Sequence, residues 1–147
     1  MKGLKNKSNN KGFSLVELII VIAIMAVLGG VIVLAVLPRV EQARKQTDAT
    51  TMQTWRESAV EAAAYAGKES VKFTISSTAA VTTDPAEIEA KFLELANLKD
   101  VNYDFTTFSS SEGKKITSVE IVISKDKPQG VIKCTGTDAF DDDGNPV

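Results

Sequence analysis

The sequence predicts an α+β protein: one long amino-terminal helix, followed by a small antiparallel sheet that packs on the second half of that helix. Three observations predict it. Leu18 to Leu37 is an unbroken apolar run without a charge. Small and apolar residues then recur at helical spacing as far as Ala66. After Gly67 the pattern changes to short runs of alternating character, as strands require.

The first element begins with a basic leader. Residues 1–12 carry Lys2, Lys5, Lys7 and Lys11 and no acid. Without them the chain would hold 13 basic against 19 acidic side chains, a net charge of -6 instead of -2. Direct binding of nucleic acid is therefore not expected. The apolar run that follows is long enough, as a helix, to cross the roughly 30 Å hydrocarbon core of a bilayer. A basic leader predicts an amino terminus in the cytoplasm and a carboxyl-terminal domain outside.

Glu17 distinguishes the kinds of segment that give such a pattern. A carboxylate beside an apolar run is costly, and an ordinary signal peptide has no use for one. If the chain is cut between Gly12 and Phe13, Glu17 gains a purpose. Phe13 then bears a cationic amine one helical turn away, and the carboxylate lies at the positive end of the helix dipole. In an apolar core, an amine–carboxylate pair with a neighbouring subunit sets register, because misaligned charges stay unpaired.

Gly12-Phe13-Ser14-Leu15-Val16-Glu17, with a Lys-rich leader before it and a long apolar run after it, resembles the signature of type IV pilins and pseudopilins over residues 2–38. The resemblance implies a pilin-like fold. It implies cleavage after Gly12 by a prepilin peptidase, N-methylation of Phe13, and Glu17 as the acid that neutralises a neighbour's terminal amine. It divides the chain into a leader (1–12), a transmembrane and filament-core half-helix (13–38) and an extracellular domain (39–147). The partners implied are other copies of the chain, other pilins, the peptidase and an assembly platform in the cytoplasmic membrane. Many members have proline at the position of Leu34 and glycine at that of Ala26. This chain has Pro38 and Gly29-Gly30 instead, so the helix-weakening residues are displaced toward the carboxyl end. Proline removes a backbone hydrogen bond, and each glycine costs about 1 kcal/mol relative to alanine. A kink is expected in this stretch, with local melting in a filament.

Beyond Pro38 the expected buried face is Val40, Ala43, Thr47, Thr51, Trp55, Ala59, Ala62 and Ala66, with Trp55 as the packing anchor and Gly67 as the stop. Val71–Ile75 reads as a strand. Asp84-Pro85-Ala86-Glu87 reads as a capped helix start, for a helix over 85–97. Three strands are expected at 102–108, 115–124 and 130–135, forming a meander, with Ser109–Gly113 as a loop and 126–130 as a turn. The acidic tail from Asp138 reads as solvated and partly disordered. Asp141, Asp143 and Asn145 alternate as calcium ligands do, but the later acid that would complete an EF-hand loop is missing. No cofactor is expected apart from that weak calcium candidate.

Catalysis has no candidate. The chain lacks histidine, so triads and His metal sites are excluded. There is no phosphate-binding glycine loop, no nucleophile with a base and no small-molecule substrate implied. The single cysteine, Cys134, forms no intrachain disulfide. It reads as a small hydrophobe in a strand, with a reactive or intermolecular thiol as the alternative. The functions expected are a type IV pilus subunit for adhesion, motility or DNA uptake, or a pseudopilin of a type II secretion or competence machine. A single-span protein with an extracellular binding domain is the reading from a different class.

Overall fold

A computed structural model describes residues 12–77, 82–84, 86–98 and 103–147. The leader as far as Lys11, and Pro85 of the expected helix start, lie outside these residues. The elements are α1 (Leu15–Tyr65), β1 (Val71–Ser76), β2 (Thr82–Asp84), a 3-10 turn (Ala86–Ile88) leading into α2 (Glu89–Leu95), two further 3-10 turns (Phe105–Thr107 and Gly113–Lys115), β3 (Ser118–Ser124) and β4 (Lys127–Thr135). The result is the α+β, pilin-like plan: a long helix first, a small antiparallel sheet after it. The chain forms two compact units, Met1–Pro38 and Arg39–Val147.

In the first unit the described residues are helical from Leu15, and the assignment runs through Gly29, Gly30 and Pro38 without interruption. Pro38 therefore does not end α1. The apolar side chains here are exposed throughout, Leu34 by 78%.

In the second unit α1 becomes a packing element. Its buried residues are Asp48, Ala49, Met52, Trp55, Ser58, Ala59, Ala62 and Ala63. The carboxyl half of the expected face is confirmed, but its amino half is not. Val40, Ala43 and Thr47 are exposed, and Asp48, Ala49 and Met52 take the inner stripe. The reason is chemical. Thr47 and Thr51 satisfy their hydroxyls on the helix's own carbonyls, while Asp48 is drawn inward by loop amides. Ala49, Ala59, Ala62 and Ala63 share one buried core with the apolar side chains of the sheet. At the carboxyl end, Gly67 has φ +64°, and the amides of Gly67 and Lys68 bond back to Ala64 and Ala63. This is the left-handed helix stop that the sequence signalled.

The sheet order is β2-β1-β3-β4, antiparallel throughout. Phe73 faces Ile121, Ile75 faces Val119 and Ile121 faces Ile132, and all five are buried. The outer face carries Lys72, whose Nζ lies 2.9 Å from Glu120, and Glu120 in turn faces Lys133 across the pair.

Several sequence expectations are corrected here. Of the run expected as a strand at 102–108, Asn102 lies outside the described residues, and residues 103–108 are not a strand. Asp104 accepts the Thr106 N–H at 2.9 Å and caps a 3-10 turn, which sends both Phe105 and Phe108 inward at a spacing of three. Its alternating pattern imitated a strand, while a local side-chain cap decided otherwise. The sheet is therefore not the expected meander, since β1 takes the central place beside β3. The strand expected at 115–124 begins only at Ser118, because Lys115 ends another 3-10 turn. The turn expected at 126–130 shrinks to Lys125-Asp126. Pro128-Gln129-Gly130 becomes an irregular part of edge strand β4, where a missing N–H is tolerated and Gly130 supplies φ +76°. The second helix is shorter than expected. Asn97 at φ 52° ends it, with the Leu98 amide returning to Leu93.

The core joins two aromatic groups. Trp55, 3% exposed, packs edge-on to Tyr103 at 4.7 Å and near Phe108 at 5.9 Å, while Phe73 meets Phe92 at 4.5 Å. Trp55→Ala should lower unfolding free energy by about 3–5 kcal/mol, as large core truncations do. Denaturant unfolding of the full chain in detergent, followed by circular dichroism, measures this.

Candidate functional site

The amino-terminal site is built from the start of α1. Gly12, Phe13 and Ser14 precede the helix and have no regular structure. Phe13 is 92% exposed. The peptide bond between Gly12 and Phe13 thus lies outside the helical hydrogen-bond ladder. Ser14 is the residue before the first helical position, and its carbonyl accepts the Leu18 N–H at 3.2 Å. Glu17 is the third helical residue, and its Oε2 accepts the Ser14 N–H at 2.9 Å. That bond is the returning half of a capping box, Ser-x-x-Glu, and satisfies an amide that the helix leaves open. Sequence reasoning placed Glu17 by its distance from a future amine and missed this capping role, although the four-residue pattern displayed it.

From Leu18 to Leu37 every side chain is exposed within the chain. By length and composition this helix is able to cross a membrane, with a mean hydropathy of 3.2 over its most apolar window. Gly29 and Gly30 have nothing within 4 Å of where a Cβ would stand. No contact inside the chain therefore requires glycine there.

The carboxyl-terminal candidate is ordered, which corrects the expectation of a partly disordered tail. Phe140 is buried and pairs with Pro146 in a short bridge. Asp142 O accepts the Ile132 N–H from the free edge of β4 at 2.8 Å. Asp141, Asp143 and Asn145 do come together, but their oxygens serve the chain itself. Asp141 Oδ1 accepts the N–H groups of Asp143 at 2.9 Å and Asn145 at 2.7 Å. These amides, that of Asn145 first, hold the Asp141 carboxyl below its usual 3.8. Asp143 lies 3.6 Å from Arg56, and Asn145 Oδ1 accepts from Gln53 at 2.8 Å. The tail is thereby tied to α1 and to β4. Among the described residues no group of three or more His, Cys, Asp or Glu is placed to hold a metal ion.

Cys134 lies in β4, half-buried, with Sγ 3.4 Å from Met52 Sδ. Burial pushes its thiol up to about 11. At pH 8 it stays protonated, so alkylation by iodoacetamide should be slow and should quicken only toward pH 11. Mass spectrometry of the native chain over time, beside the denatured chain, checks this.

Residues 7–37 match the family described as the prokaryotic N-terminal methylation motif. No curated protein and no solved structure matches the chain. The motif implies processing by a prepilin peptidase and assembly with other pilins, and with the apolar helix it fits a membrane-anchored precursor. The chain therefore carries the class III signal of a type IV pilin- or pseudopilin-like precursor.

Proposed function

We propose that the chain is a structural subunit of a type IV pilus. It enters the cytoplasmic membrane as a prepilin with its amino terminus inside, is cleaved after Gly12, is N-methylated at Phe13, and is polymerised outside the cell for adhesion, motility or DNA uptake. The observation that carries the reading is Glu17. It is the one charge between Phe13 and Leu37, and it stands at the head of a helix whose apolar side chains find no cover within the chain.

The physical sequence is short. Cleavage turns the exposed stretch before α1 into a cationic terminus beside the Glu17 carboxylate. Within one subunit that carboxylate already accepts the Ser14 N–H. A second acceptor oxygen is left for a neighbour's amine. Packing the apolar helices of many copies supplies the energy of assembly, at about 1.5–3 kcal/mol for each large side chain fully removed from water. The amine–carboxylate pair supplies the register, since a shift along the axis strands both charges in an apolar core. Gly29, Gly30 and Pro38 make the stretch between them the weakest of the helix, and this is where a bend or melted turn is placed in the filament.

A second reading is a pseudopilin of a secretion or competence machine. The lone Cys134 fits it, as it fits a Gram-positive pilin, because no disulfide closes a carboxyl-terminal loop. Electron microscopy of producing cells distinguishes long surface fibres from short ones.

Mass spectrometry of the mature amino terminus tests the main reading. A methylated Phe13 is expected, and a retained Met1 would overturn it. Glu17→Ala should leave cleavage intact while incorporation into filaments falls by about tenfold or more, the loss of one charge-assisted contact in an apolar setting. Sheared filaments quantified by immunoblot provide the measure, and normal filaments from this variant would remove the register argument.

A further inference from the structure

The loop at residues 109–113 is held on α1 by two carboxylates two turns apart on one helix face. Asp48, 2% exposed, receives the Ser109 N–H on Oδ1 at 2.7 Å and the Ser110 N–H on Oδ2 at 2.8 Å, and it also receives the Ser110 hydroxyl. The Ser110 oxygen in turn accepts the Gly113 N–H at 2.8 Å. Glu41 Oε1 receives both the Ser111 N–H at 2.6 Å and the Ser111 hydroxyl at 2.7 Å. Three consecutive serines thus give every backbone N–H to a carboxylate on the helix. The fit is close, because a Cβ at Gly113 would stand 2.8 Å from Phe108 Cδ2 and would collide with Asp48.

We propose that the Ser111 end of this serine loop is an acid-released latch, closed while Glu41 is ionised and opened when Glu41 takes up a proton. Solvent reaches this end of the loop and not the other. The Glu41 side chain is 30% exposed, whereas Asp48 is sealed under the loop. A carboxylate accepts from two donors at one oxygen far better than a neutral acid does, so protonation weakens both Ser111 bonds together. The charged groups around Glu41 are Arg44, at 3.9 Å, and Lys45 on its own helix. From the loop side comes Glu112, itself paired with Lys115 at 2.6 Å and accepting from Thr137 at 2.9 Å. No ion pair reaches Asp48 among the described residues.

The sign follows from the Ser111 bonds. The hydroxyl first, then the amide, holds the Glu41 carboxyl below its usual 4.5. The contribution of the latch is therefore complete above about pH 4.5 and is lost as pH falls through the lowered value. Glu41 stands three residues after Pro38. Opening it releases the turns of α1 between Glu41 and Asp48 from their tie to the loop. The latch lies wholly in the carboxyl-terminal unit, so it operates whether or not the chain polymerises.

Amide NMR of the full chain in detergent micelles, titrated from about pH 7 to about pH 3, tests the latch. The Ser111 amide proton should move upfield with a midpoint below 4.5 while the core methyl signals hold still. In Glu41→Gln at neutral pH, that amide should exchange about tenfold faster than in the wild type and should no longer titrate, with Ser109 and Ser110 little changed. A Ser111 amide that is insensitive to pH, or equally protected in Glu41→Gln, would overturn the latch. So would a transition at Ser111 that coincides with loss of the core signals, since that is global unfolding.

Discussion

The carboxyl-terminal unit depends on one stripe of α1. Ala49, Met52, Trp55, Ala59, Ala62 and Ala63 present a surface that is low at both ends and tall at Trp55. The alanines lie in one core with the Val and Ile side chains of the sheet. Trp55 fills the wider space under the 3-10 turn that carries Phe105 and Phe108. Without the alanines the sheet would stand away from the helix, and without Trp55 the aromatic side would hold a cavity.

The same stripe contains a charge, and this decides how the domain is finished. A buried carboxylate is costly unless its lone pairs are met. Asp48 is met by backbone amides and a hydroxyl, not by a cation. That choice requires a loop of small residues able to present successive N–H groups, and Ser109-Ser110-Ser111 with Gly113 is such a loop. The tail follows a similar logic at the other end of the sheet. Asp141 turns the chain on itself, and Arg56 and Gln53 receive the result on α1. Loop and tail are both fastened to one helix through polar side chains, the buried Asp48 for the loop and the partly exposed Arg56 and Gln53 for the tail.

Before Pro38 the helix offers no such fastenings. Its side chains are apolar and exposed, and its only charge is at the head. A surface of this kind is stable in lipid or against other apolar helices, and the methylation motif over residues 7–37 fits a membrane-anchored precursor. Glu17 has a place in each state. In the single chain it caps α1, and in the proposed assembly it would pair with a neighbour's new amine. Among the described residues nothing stands within 4 Å of a Cβ at Gly29 or Gly30, so no contact there demands glycine.

The sequence by itself determined the long helix, its apolar first half, its stop at Gly67 and the strands at β1 and β3. These are local or periodic signals: a charge gap, a helix-stopping glycine and alternation. Only the tertiary structure decided the inner stripe near Asp48, the 3-10 turn that replaced a strand at Phe105, the central place of β1, and the ordered tail. In each case the deciding partner is far away in sequence. Asp48 looks exposed until the amides of Ser109 and Ser110 reach it, and Asn145 looks free until Gln53 does. Periodicity registers which face a residue occupies, but a polar side chain goes inward or outward according to the donors that meet it, and those are set by the fold.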